Sequence, residues 1–165
     1  MKRIFFVFAA LALVTGCGYR FAGTGKLPGG VKTVCVTMLN NNTNETGIER
    51  TVTNAIINEM SRSGITMIKD QDKAGGVLTG AVTSVYTETI ARSSANTSTE
   101  RRVHVKLDMK LADSKGRVIW ARSGIGDKEA YLAGGTDEAQ LRDQAIEKLV
   151  SRLSRTVYQR LTDDF

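Results

Sequence analysis

Cysteine is nearly absent from this sequence: Cys17 and Cys35 are the only two among 165 residues. Two thiols cannot build the multi-bridge framework of a small secreted domain. The fold must therefore rest on a hydrophobic core, and 41% apolar content is enough for one. Histidine is scarcer still, with His104 alone. One imidazole, and Cys35 as the one cysteine outside the N-terminal stretch, exclude the usual zinc sites. His104 falls inside an alternating strand pattern, among solvent-facing positions, where a catalytic base is the weaker reading. Proline appears once, at Pro28, and neither a low-complexity tract nor a solenoid-period repeat is present. Walker A, G-x-G-x-x-G and G-x-S-x-G are missing as well. Gly124 and Gly126 in "SGIGDKEA" lie late in a strand rather than before a helix, so a phosphate loop is a weak reading there. No pair of titratable groups points to an enzyme, and the sequence calls for no metal or cofactor.

A long hydrophobic run is also lacking. Ile4–Val14 is apolar throughout, but a bilayer-spanning helix needs about 20 such residues. Behind Lys2 and Arg3 it fits the h-region of a secretory signal. Val14-Thr15-Gly16-Cys17 then resembles a bacterial lipobox: an aliphatic residue, two small ones, and a cysteine. In that class the thiol receives a diacylglycerol, and the signal is cut before the cysteine. Small residues let the peptidase reach the backbone, and the thiol is the group alkylated. An ordinary signal with a chance cysteine is the rival reading; n-region, h-region and box together favour Cys17 as the lipidation site. Residues 1–16 are thus the expected signal peptide, residues 17–30 a Gly-rich tether, and residues 31–165 a single domain. Gly18, rather than Asp, follows Cys17, which by similarity to enteric lipoproteins favours the outer membrane. Lys plus Arg number 23 against 17 acids. Losing Lys2 and Arg3 leaves 21 against 17, a mature charge of +4.

The β-branched run "VKTVCVTML" at 31–39 predicts an inner strand holding Cys35. Thr46 and Glu49 match the capping box T-x-x-E. Ile48, Val52, Ala55, Ile56 and Met60 follow at helical spacing, giving a helix over 47–63 that ends at Gly64. "ITMIKD" at 65–70 reads as a short strand, so a βαβ unit opens the domain. A long β pattern covers 77–92. After the polar turn "SSANTSTE", Val103, Val105, Leu107, Met109 and Leu111 alternate strictly with Arg102, His104, Lys106, Asp108 and Lys110. A half-buried antiparallel strand with one wet, basic face results. "ADSKGR" turns into a third strand reaching Leu132. Thr136 is placed to cap a final helix of about 25 residues, whose stripe is Leu141, Ala145, Ile146, Leu149, Val150, Leu153, Val157 and Leu161. The expected fold class is α/β: a two-layer sandwich with a mixed, mostly antiparallel sheet and two helices on one side.

Basic residues are the remaining clue. Arg92, Arg101, Arg102, Lys106 and Lys110 belong to two neighbouring strands around one hairpin, and Lys128 follows on the third. Arg offers phosphate a planar fork and Lys a point charge. A solvated sheet face explains any one of them; the set suggests an anionic partner. Nucleic acid is excluded for an exported, lipid-anchored chain without an aromatic stacking platform.

"CGYRF" (17–21), "LPGGVKTVCVTMLNNNTNETGIERTVTNAIINEM" (27–60), "LTGAVTSVYTE" (78–88) and "VKLDMKLADSKGRVIW" (105–120) together resemble the LptE family of lipopolysaccharide-assembly lipoproteins. Asn42, Thr43 and Glu49 follow the family's aromatic–x–Asn–x–Thr stretch and acidic helix start. Leu39 and Asn40 stand where many members have Phe and a charged residue. The resemblance implies a non-enzymatic outer-membrane lipoprotein, facing the periplasm, that pairs with and plugs the LptD β-barrel. It would aid barrel assembly and lipopolysaccharide transport to the outer leaflet. Charge and placement make Arg92, Arg101, Arg102, Lys106 and Lys128 the candidate lipopolysaccharide-binding residues. Ser94, Asn96 and Thr97 form the candidate barrel-contact loop, since a polar tip suits a polar lumen. The alternative is a pilotin-like accessory of another secretion channel.

Overall fold

In chain order, β1 (Thr33–Val36), β2 (Asn40–Asn41), α1 (Ile48–Arg62), β3 (Thr66–Met67), β4 (Gly76–Arg92), β5 (Ser98–Asp113), β6 (Val118–Leu132) and α2 (Glu138–Asp163) make up the fold. These elements come from a computed structural model that describes residues 26–92 and 98–163. Cys17 and the turn residues Ser94, Asn96 and Thr97 lie outside the described residues. Strand order is β3-β1-β4-β5-β6, with β2 also beside β4. The first three strands run parallel to their neighbours and β4, β5 and β6 antiparallel, so the sheet is mixed, as the pattern of elements predicts. β1, α1 and β3 supply the opening βαβ unit, and 65–70 does join the sheet, as an edge strand beside β1.

The expected strand over 31–39 is divided into two. Thr37 N–H still pairs with the Leu78 carbonyl, but Leu39 N–H turns away and donates to Thr53 Oγ1 of α1 at 3.1 Å. Leu39 is thereby buried under the helix while Met38 is left outside. The chain rejoins β4 at Asn40 and Asn41.

α1 buries Ile48, Val52, Ile56 and Met60 of the predicted stripe, with Ala55 partly buried against the same core. Its capping differs from the expected box. Gly47 is the N-cap, at φ +85°, and no side chain caps it. Glu49 instead accepts from Asn41 Nδ2 at 2.9 Å, tying the helix start to β2. The final helix likewise begins past Thr136, at Glu138, whose carboxylate accepts the Gly134 N–H at 2.9 Å.

Both helices pack on one face of the sheet, sharing a core with Leu78, Val82 and the β5 residues Val103 to Leu111. α2 contributes Ile146, Leu149, Leu153, Val157 and Leu161. Leu27 and Pro28 are buried too, so packing begins ahead of Val31. No described helix is long and apolar enough to cross a membrane. The opposite sheet face carries no layer of described residues, and that face positions the candidate site.

Candidate functional site

Strand alternation decides where each predicted cation goes. Arg101 has the parity of Val103 and Val105, so it points toward the helices. There it pairs with Glu138 Oε1 at 2.6 Å and helps fix the first turn of α2. The structure therefore separates Arg101 from the group in which the sequence placed it. Arg102, His104 and Lys106 point to the open face. Register sets His104 opposite both Tyr86 and Lys128, and Lys106 opposite Gly126.

Around His104 the groups are matched. The Tyr86 and His104 rings stack, with centroids 4.4 Å apart and planes within 6°. His104 Nε2 lies 2.8 Å from Glu88 Oε1, and an ionised carboxylate only accepts, so the imidazole donates. Arg102 approaches the same oxygen at 3.4 Å. The hydrogen bond from His104, with the Arg102 charge behind it, holds the Glu88 carboxyl below its ordinary range. Glu88 thus compensates Arg102. Arg92 closes the exposed end of β4, away from Lys106 and Lys128 in register.

Past Glu88 the face changes character. β6 carries a bulge where Leu107 pairs with Ile125 and Met109 with Arg122. Gly124 takes the required left-handed conformation, φ +67°, and its N–H donates to Asp108 Oδ1 at 2.8 Å. The bulge reverses which residues face the helices: Trp120 before it and Ile125 after it are both buried. With no side chain at Gly124 or Gly126, an open cleft of about 330 Å³ forms across β6. It is lined by His104, Lys106, Lys128, Asp127 and, from the far end of α2, Arg160. None of Lys106, Lys128 and Arg160 makes an ion pair among the described residues. Asp127, the one acid of the lining, is bound at 2.8 Å by Arg152. Three uncompensated cations around a glycine-lined hollow suit a phosphate or another compact anion.

Lys106 and Lys128 are thus the sequence candidates that the structure brings together. Arg160 was missed: its place outside the α2 stripe says that it is solvated, not that it reaches β6. The Gly124 and Gly126 pair, a weak phosphate loop by sequence, lines an edge-strand hollow here rather than a loop before a helix. Among the described residues no cluster of three or more His, Cys, Asp or Glu groups can hold a metal.

Comparison with known proteins adds two family matches. The model described as "Lipopolysaccharide-assembly", LptE, matches residues 31–161. The model for prokaryotic membrane lipoprotein lipid attachment sites matches residues 1–17, ending on Cys17. No match is found among curated proteins. Solved structures share the fold. The rare lipoprotein B of Shewanella oneidensis aligns with a TM-score of 0.57 at 9% identity, over 79% of this chain and 95% of that one. An uncharacterized lipoprotein B from Nitrosomonas europaea gives 0.56 at 12%, over 86% and 91%. A minor lipoprotein from Acinetobacter baumannii gives 0.54 at 12%, over 81% and 94%.

Proposed function

The chain belongs to the LptE lipopolysaccharide-assembly family, and from that premise we propose that it is an outer-membrane lipoprotein that pairs with and plugs an LptD-type β-barrel. Anchored through Cys17 and facing the periplasm, it aids barrel assembly and the passage of lipopolysaccharide to the outer leaflet. The role is non-enzymatic. The family match across residues 31–161 is the observation that carries this reading. The polar turn holding Ser94, Asn96 and Thr97 is the segment assigned to the barrel lumen. Photocrosslinkers at Ser94 or Asn96 should capture the barrel; capture of nothing would remove that orientation.

Lipopolysaccharide phosphates are assigned to the open face. Lys106 and Lys128 are its centre, Arg160 joins them, and Arg92 and Arg102 flank. Arg101, paired with Glu138, is a control. Charge reversal at Lys106 or Lys128 should weaken lipopolysaccharide binding about tenfold, the equivalent of ~1.4 kcal/mol. Arg101→Gln should leave it within twofold. Equal losses at all three positions would show that general surface charge, not this cleft, is responsible. Co-purification from detergent-extracted membranes separates the main reading from a pilotin-like accessory: an LptD-type barrel supports it and a secretin contradicts it.

A further inference from the structure

β6 ends the sheet, and among the described residues no strand lies on its outer side. An open edge of that kind presents unpaired N–H and C=O groups to any other strand. Val118 and Leu132, at its two ends, are 56% and 68% exposed, so a second strand laid along β6 would also bury apolar surface. The middle of the edge is nevertheless closed. Lys128 N–H donates to Asp127 Oδ1 at 2.8 Å, and the Lys128 carbonyl accepts from Arg152 at 2.9 Å. Both peptide groups of Lys128 are therefore held by side chains rather than by a strand. That is the pattern of a residue in a non-hydrogen-bonded pair, with both groups turned to the free edge.

Arg152 is the hub of this closure. From α2 its Nε binds Asp127 Oδ2 at 2.8 Å, one terminal nitrogen binds Glu129 Oε2 at 2.8 Å, and the other reaches the Lys128 carbonyl. The two carboxylates hold the guanidinium pointed at the backbone, and the hydrogen bond to Asp127 is the main cause that raises its pKa. A partner strand could pair across Lys128 only after displacing Asp127 from its N–H and Arg152 from its carbonyl.

We propose that Arg152 is a latch that closes the β6 edge against a second copy of this chain. The occupant follows from the anchor: a lipid attachment site at Cys17 confines copies to one surface and so raises the local concentration of identical open edges. The inference stands apart from the assigned barrel partner, since it concerns the chain before or without that partner.

The test compares the full-length lipidated chain in detergent with its Arg152→Ala and Arg152→Ala/Ala130→Pro variants, by sedimentation over a concentration series. Arg152→Ala should self-associate at least tenfold more tightly than the wild type. The Gly126 and Ala130 amides should then become protected from hydrogen exchange as concentration rises. Adding Ala130→Pro, which removes an edge N–H without crossing a ladder bond, should restore wild-type association. A folded Arg152→Ala chain with unchanged association overturns the proposal, as does association that Ala130→Pro fails to relieve. Should Arg152→Ala not fold, Asp127→Asn/Glu129→Gln loosens the latch from the other side, and the same two outcomes decide.

Discussion

Thr53 joins two backbones through a single hydroxyl. Its Oγ1 donates to the Glu49 carbonyl at 2.6 Å and accepts the Leu39 N–H at 3.1 Å. The residue is 3% exposed, so water cannot replace either bond. Thr53→Val keeps the shape and leaves the Leu39 amide buried without an acceptor, at a cost of about 1–3 kcal/mol. Thr53→Ser keeps the hydroxyl and should lose much less. Urea unfolding of the two variants checks this; a loss in Thr53→Ser as large as that in Thr53→Val would mean that the hydroxyl bonds do not set the cost. This bond was not legible in the sequence, because an apolar-periodic helix gives no sign that one threonine accepts from a strand break. The Arg101 and Arg102 division is different: grouping by charge put both among the candidate binding residues, although strand parity alone separates them. Adjacent strand residues face opposite sides, and the alternation that buried Val103 already aimed Arg101 at the helices.

At the scale of elements, regular patterns carried the reading and irregularities escaped it. β5 buried the residues that its period of 2 marked, and α2 buried its 3.6-period stripe from Ala145 on, with Leu141 partly buried, since both run without interruption through the core. β1 and β2, the bulge at Gly124 and the closing of the cleft by Arg160 each depend on a neighbour far off in sequence, which local pattern does not encode. The Glu45–Arg142 pair is another such tie, joining α2 to the loop before α1 by two bonds of 2.9 and 2.6 Å. Arg142's hydrogen bonds hold the Glu45 carboxyl below its ordinary 4.5. A carboxyl lowered on folding adds stability that is present above its unfolded value and is lost as pH falls through the folded one. The pair is 28% and 31% exposed, so screening limits the effect to about 1 kcal/mol. Between pH 5 and acid, then, the wild type should lose slightly more stability than Arg142→Gln, as read by thermal melts at about pH 5 and pH 3. Parallel curves would show that the pair adds nothing.

For the whole molecule, fold and anchor are separable. The described core starts at Leu27 and closes on α2, whereas the lipid attachment site is matched at residues 1–17, ending on Cys17. Each acyl CH₂ buried in lipid contributes about 0.8 kcal/mol, and one chain alone binds marginally and reversibly, so stable anchoring depends on the full set of chains. Cys17→Ser removes the alkylated atom and with it every chain. The variant should no longer take up radiolabelled palmitate, and, once residues 1–16 are removed at an inserted protease site, it should leave the detergent phase on Triton partition. Its domain, released from the leader, should melt within about 1 °C of the wild type, because no described contact changes. A variant that stays in the detergent phase would mean that the protein surface itself, the cationic open face included, holds the membrane. A variant that leaves it but melts several degrees lower would mean that the segment after Cys17 packs on the core as Leu27 and Pro28 do.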